Sequence, residues 1–133
     1  MVLKSDVHPI VSSNDVVRVR QVARQWAMDL KFSLVDQTKL VTATSELARN
    51  TLEHGKGGRM KVELVENGVR RGIRLTFEDE GPGIANIELA LRDGYSTGSG
   101  LGLGLSGSKR LMNEFEIKSE AGRGTTVTVT RWK

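Results

Sequence analysis

The sequence predicts an α/β fold, a two-layer sandwich in which a mixed β-sheet carries helices on one face. Three observations predict it. Two stretches within the first 55 residues place apolar side chains at helical spacing. Two strand–turn–strand signals follow, one in the middle of the chain and one at its end. A third helical stretch lies between those signals. At 133 residues the chain reads as one domain, 1–133, long enough to bury about two-thirds of its unfolded surface. It contains no internal repeat, linker or low-complexity tail.

The first dozen residues alternate loosely at Val2, Val7, Ile10 and Val11 and predict an edge strand. The polar cluster Ser12-Ser13-Asn14-Asp15 supplies N-cap side chains for a helix. In that helix Val16, Val19, Val22, Ala23, Trp26, Ala27 and Leu30 recur on one side, with Trp26 read as a core residue. A second helix is expected from near Asp36, carrying Leu40, Val41, Thr44, Leu47, Ala48 and Thr51, and stopping at Gly55. The runs "RMKVELVE" and "VRRGIRLTFED" read as strands joined by Asn67-Gly68, the pair favoured in type I′ hairpin turns. A short polar helix around Asn86 to Arg92, a glycine-rich segment and a helix through Lys109 to Asn113 come next. The strands "FEIKSE" and "TTVTVTRW", joined by the turn "AGRG", complete the order.

Composition narrows the chemistry. Hydrophobic content of 38% and charged content of 27% belong to a soluble globular chain. The net charge of +4 permits an anionic partner, but the basic residues are scattered. Three Phe, two Trp and one Tyr form no stacking platform among them, which argues against nucleic acid. The lack of cysteine excludes disulfides, thiolate metal sites and thiol nucleophiles. His8 and His54 are too few for a histidine-rich metal centre. No apolar run approaches the ~18 residues of a membrane span, and no signal-peptide core opens the chain, so the expected location is the cytoplasm.

Four short motifs carry the chemical argument. In "SELARN", Glu46 and Asn50 stand four apart, on one helical face that differs from the face of Leu40, Leu47 and Thr51. A carboxylate takes a proton; an amide oxygen ligates Mg²⁺ without adding negative charge beside phosphates. In "EDEGPGI", Asp79 ends a strand, and Gly81 and Gly83 let the backbone turn and approach a ligand. A carboxylate there accepts from an exocyclic amino group such as that of adenine. The segment "GSGLGLGLSGSKR" fails as a Walker A loop, because Ser108-Lys109-Arg110 stands where Gly-Lys-Ser/Thr is required. It fails as a dinucleotide fingerprint because "RDGYST" replaces the strand that should precede it.

A linker is disfavoured energetically. Each glycine inside a helix costs roughly 0.5–1 kcal/mol, so three or four cost about 2–4 kcal/mol, more than the roughly 0.3–1 kcal/mol of a dipole interaction. A helix entered through glycines makes sense when its free N–H groups meet an anion. In "GRGTTVTV", Thr125 opens a strand with a hydroxyl in reach of a base or a water. Read singly, each motif is also an ordinary solvated face, turn or hinge.

Taken in order, "ELARN", "DEGPG", "GLGLG" and "GTT" resemble the N, G1, G2 and G3 boxes of the ATPase superfamily shared by gyrase, MutL and bacterial histidine kinases. The resemblance implies a GHKL-type (Bergerat) ATP-binding sandwich with a mobile lid. It implies that Asn50 holds Mg²⁺, that Asp79 recognises adenine with Thr125 helping through water, and that Gly81 and Gly83 make room for the base. Gly100, Leu101, Gly102, Leu103 and Gly104 would wrap the phosphates of ATP, and Glu46 would be the general base.

Across the whole chain, "VDQTKLVTATSELARN", "EDEGPGI", "DGYSTGSGLGLGL" and "KRLMNEF" are similar to the RsbT-type switch kinases, relatives of the anti-sigma-factor kinases. That family implies phosphorylation of serine or threonine in STAS-domain scaffold or antagonist proteins of the stressosome. It also implies activation, after release, of a PP2C-type phosphatase. The alternative is a nucleotide-dependent anti-sigma-factor kinase or sequestering module. The segment Ile84 to Ser99 is a short lid whose one basic residue is Arg92. Arg49, Lys109 and the partner all remain open as the cation beside the phosphates. The N-terminal strand either pairs across a homodimer or covers a sheet edge.

Overall fold

The computed structural model describes residues 1–84 and 105–133. Eight elements follow in order: β1 (Val2–Ile10), α1 (Ser13–Asp29), α2 (Leu34–Glu53), β2 (Gly58–Glu66), β3 (Arg71–Asp79), α3 (Leu105–Leu111), β4 (Glu114–Ser119) and β5 (Thr125–Trp132). The strands form one sheet in the order β1-β2-β3-β5-β4, and the helices pack over one of its faces.

Both long helices begin on a serine. Ser12 Oγ accepts the Asp15 N–H at 3.3 Å, and Ser33 Oγ accepts the Asp36 N–H at 3.1 Å. Each cap satisfies an amide that the helix itself leaves free. The second cap moves the start of α2 two residues ahead of the expected Asp36. The left-handed backbone of Lys31 (φ 64°) ends α1 and turns the chain, and the Phe32 N–H returns to Ala27 O at 2.9 Å.

The core lies between α1, α2 and the inward row of each strand. Leu40, Leu47, Met60, Ile73, Leu75 and Phe77 are all buried, each worth roughly 1.5–3 kcal/mol for its apolar side chain. Trp26 sits at the core's edge, partly buried, with Lys4 Nζ 4.5 Å from the ring centre. The reading of Trp26 as a packing residue therefore holds. Arg131 of β5 ties the layers together, donating to Asp36 at 2.6 Å and to Leu111 O at 2.9 Å.

Three expectations are corrected. The sheet is antiparallel at all four pairings, not mixed. β4 does run in the direction of β3, but β5 inserts between them, so the two parallel strands never pair. The β2–β3 turn centres on Gly68-Val69 instead of Asn67-Gly68. Type I′ needs two positive φ angles, and only Gly68 (φ 89°) has one. The Asn67 side chain takes the Val69 and Arg70 N–H groups (3.0 and 2.8 Å), replacing a main-chain acceptor. The third helix ends at Leu111 rather than Asn113, because the Asn113 N–H bonds to Thr130 O at 2.9 Å and joins the sheet. The polar helix expected around Asn86 to Arg92 lies outside the described residues.

Candidate functional site

The site is built at the end of the sheet nearest the C-terminus of α2. Register places Gly58, Asp79, Thr125 and Ser119 in one cross-strand row, on β2, β3, β5 and β4 in turn. Asp79 lies two residues after Phe77 and Thr125 two residues before Val127, so pleating turns all four toward the helices. From above, α2 adds Asn50 and the capping residue His54. Leu47, Asn50, Thr51, His54, Asp79 and Thr125 line one small cavity of about 20 Å³ there, room for about one water.

Backbone approach makes the corner. Gly55, just past α2, lies against Asp79: a Cβ there would stand 2.3 Å from the Asp79 carboxyl carbon. A Cβ on Gly81 would meet the Gly55 backbone at 2.7 Å. Gly83 takes a positive φ of 75° and offers its carbonyl to His54 Nε2 at 3.1 Å. Because a carbonyl only accepts, the His54 proton resides on Nε2. Helix and turn are thus tied directly.

Ser119 is the hub on the sheet side. Its hydroxyl donates to Gly124 O at 2.9 Å and accepts the Ile84 N–H at 2.7 Å. A serine has one proton to give, so in the 2.9 Å contact between the two hydroxyls Thr125 is the donor. Thr125 consequently faces the cavity with its oxygen lone pairs.

Two groups at this corner stand out. Asp79 accepts the Gly81 N–H at 3.0 Å. Burial pushes its carboxyl above the ordinary range, and hydrogen bonds from the Gly81 and Thr125 backbone and the charge of His54 offset only part of that. Asn50 Nδ2 is buried with no hydrogen-bond partner among the described residues. Buried amides are normally paired, so an orphan aimed at a cavity marks a place for a ligand.

Glu46 stands apart from this group. It does not line the cavity; one helical turn before Asn50, it pairs with Arg49 at 3.0 Å on the half-exposed flank of α2. It borders a second depression, of about 230 Å³, shared with Arg20 and Arg24 of α1. Lys109 is exposed on α3 and makes no ion pair among the described residues. Gly100, Leu101, Gly102, Leu103, Gly104 and Arg92 lie outside the described residues. A concavity of about 440 Å³ on the open face of the sheet holds none of the sequence candidates.

Sequence reasoning brought Asn50, Asp79, Gly81, Gly83 and Thr125 to one corner, as the structure does. It missed Gly55, read as a plain helix stop, and Ser119, an ordinary strand residue by pattern. His54 is the C-cap residue of α2, and its ring adds a tie to Gly83.

Among the described residues no group of three or more His, Cys, Asp or Glu forms a metal cluster. A Mg²⁺ that arrives with a nucleotide needs only one or two protein ligands beside the phosphates. The orphaned Asn50 Nδ2 is a donor and suits an acceptor such as a phosphate oxygen; a Mg²⁺ would take the Oδ1 of the same amide. No helix among the described residues is long and apolar enough to cross a membrane.

Comparisons with known proteins identify the family. Residues 35–133 match the model of the family described as histidine kinase-, DNA gyrase B-, and HSP90-like ATPase. The serine/threonine-protein kinase RsbT of Bacillus subtilis (strain 168) is 43% identical over 123 residues, 92% of each chain. An anti-sigma F factor of Geobacillus sp. (strain WCH70) is 35% identical over 121 residues, 85% of this chain and 81% of its own. The crystal structure of the RsbU and RsbW domains of Rv1364c from Mycobacterium tuberculosis superposes with a TM-score of 0.68 at 25% identity. It covers 97% of this chain, which spans about a third (32%) of that one.

Proposed function

We propose a function from one premise: the chain belongs to the family of histidine kinase-, DNA gyrase B- and HSP90-like ATPases. It is an ATP-dependent protein serine/threonine kinase of a partner switch. Its substrates are STAS-domain proteins of a stressosome-type complex, and once released from them it activates a PP2C-type phosphatase. It works in the cytoplasm, where ATP is available. The observation that carries this reading is the convergence of Asp79, Thr125 and Asn50 on one cavity, each with hydrogen-bonding capacity left over.

Asp79 accepts from the amino group of adenine, and Thr125 accepts from a water beside the base. Gly55 and Gly81 let the helix end and the turn close on the Asp79 side chain without a Cβ in the way. Asn50 holds Mg²⁺ through its amide oxygen; when bound, the metal neutralises charge on the transferring phosphoryl group. Gly100 to Gly104, with Leu101 and Leu103, supply backbone N–H groups to the phosphates. A serine or threonine hydroxyl of the partner attacks the γ-phosphorus. The new P–O bond forms as the bond to the β-phosphate oxygen breaks, ADP leaves, and the hydroxyl proton passes to Glu46. The outward position of Glu46 suits that role, since the acceptor arrives on another protein.

The test is transfer of labelled phosphate from ATP to a STAS-domain protein. Glu46→Gln should lower the rate about 10²–10⁴-fold and leave ATP affinity unchanged; full activity in that variant removes Glu46 as the base. A second reading, a nucleotide-dependent anti-sigma module that sequesters its partner, is favoured by the 35% identity to an anti-sigma F factor. Stable complex formation without transfer would select it.

A further inference from the structure

Ser119 closes β4 and stands behind Thr125. It borders a shallow depression with Lys118, Glu120 and Arg123, and it is not among the residues that line the cavity beside α2. Thr125 borders both. A molecule in that cavity therefore meets Thr125 and not Ser119.

The Ser119 hydroxyl is fully committed. It donates to Gly124 O at 2.9 Å, accepts the Ile84 N–H at 2.7 Å and meets Thr125 Oγ1 at 2.9 Å. One proton and two lone pairs are all that a hydroxyl has, so the Thr125 proton fills the last of these contacts. What Thr125 keeps for the cavity is lone pairs alone. Asp79, its cross-strand partner, only accepts when ionised, and it already takes the N–H groups of Gly81 and of the Thr125 main chain. The donors stand opposite, on α2 and its cap. Asn50 Nδ2 has no partner among the described residues, and the His54 Nε2 proton goes to Gly83 O. The sheet wall of the cavity is thus an accepting wall.

We infer that Ser119 is a positioning residue that determines base specificity: by taking the Thr125 proton it leaves the sheet wall able only to accept, and so selects a purine with an amino group at C6 over one with a carbonyl there. This rests on the reading of the corner as the adenine site. An exocyclic amino group brings two N–H bonds, one for Asp79 and one for the water beside Thr125. A 6-oxopurine sets a carbonyl against two acceptors, and a site built to accept from an N–H rejects the analogue that lacks it. Without the Ser119 hydroxyl, the Thr125 O–H is free to turn into the cavity and donate, and the rejection eases. The corner keeps its frame in that case. The Gly122 N–H still donates to Pro82 O at 2.6 Å, and Asp79 still faces Thr125 in the sheet.

The experiment measures by calorimetry, with Mg²⁺ present, the affinity of the full chain for ATP and for inosine triphosphate, which carries a carbonyl at C6. The wild type should prefer ATP about a hundredfold or more. Ser119→Ala should cut that preference about tenfold, whereas Ser119→Thr, which keeps a hydroxyl, should retain it. Ser119→Cys, whose thiol accepts only weakly, should give the same drop as alanine and replaces it if alanine unfolds the corner. Thr125→Val removes the group through which Ser119 acts. Adding Ser119→Ala to it should therefore leave the preference where Thr125→Val alone sets it. A merely structural Ser119 would weaken both nucleotides by one factor, so an unchanged ratio in Ser119→Ala and Ser119→Cys overturns the inference, while wild-type ATP binding keeps the nucleotide reading. A further fall in the ratio on adding Ser119→Ala to Thr125→Val also overturns it. A wild type that binds both nucleotides equally removes the selectivity and the inference with it; one that binds neither removes the nucleotide reading as well.

Discussion

Two carboxylates on adjacent strands of one sheet, Glu63 on the open face and Asp79 at the cavity beside α2, live in opposite conditions. Glu63 is buried, and Arg74 engages both its oxygens at 2.9 and 3.2 Å, with Lys61 at 3.6 Å. The Arg74 hydrogen bonds hold its carboxyl below the usual range. Among the described residues Asp79 has no arginine or lysine partner, and burial pushes it the other way. The difference separates what a charge does for the fold from what it keeps for a ligand. The lone pairs of Glu63 are spent inside the molecule; those of Asp79 are partly held in reserve.

The sharpest way to break this contrast is Asp79→Asn. It should cost about a hundredfold in ATP affinity, since an amide presents a donor as well as an acceptor and leaves the adenine amino group mispaired. Its melting temperature should stay level or rise, because the buried ionised group is gone; equal ATP affinity by calorimetry would refute the adenine role. Glu63→Gln should do the reverse, lowering stability by about 1–3 kcal/mol in urea unfolding while ATP binding is retained.

Acid should separate the two in the same order. A carboxyl whose folded pKa is raised protonates first, so ATP affinity should decline as pH falls toward the usual carboxylate range. Glu63, with a lowered folded pKa, stabilises the fold above its unfolded value and loses that contribution only as pH drops further, through its folded pKa. Nucleotide binding is thus expected to fail while the fold persists, a sequence that calorimetry and circular dichroism across pH would detect. The smallest effect is Gly55→Ala. Its Cβ must displace the Asp79 side chain, so ATP binding should weaken about tenfold with a modest loss of melting temperature.

The helices were legible because burial imposes a 3.6-residue period on Val19, Ala23 and Ala27, and on Leu40, Leu47 and Thr51. Strand existence and the Asp79–Thr125 corner were legible from alternation and from the order of the motifs. Strand direction was not, because element order along a chain does not reveal that β5 inserts beside β3. The shifted β2–β3 turn depends on hydrogen bonds accepted by the Asn67 side chain, which local propensity does not encode. Gly55 looks like any glycine after a helix until Asp79 is placed against it.

The position of β5 also bears on how the molecule is made. It comes last among the strands, yet it occupies the interior of the sheet, between β3 and β4. A chain emerging from the ribosome therefore has its helices and a three-stranded β1-β2-β3 unit long before Thr125 is opposite Asp79. β4 has no neighbour to pair with, and Asp36 waits for Arg131, 95 residues downstream. An unfinished chain holds neither the complete ATP corner nor the clamp between α2 and the sheet. Translation itself thus withholds activity until the last strand is threaded into place.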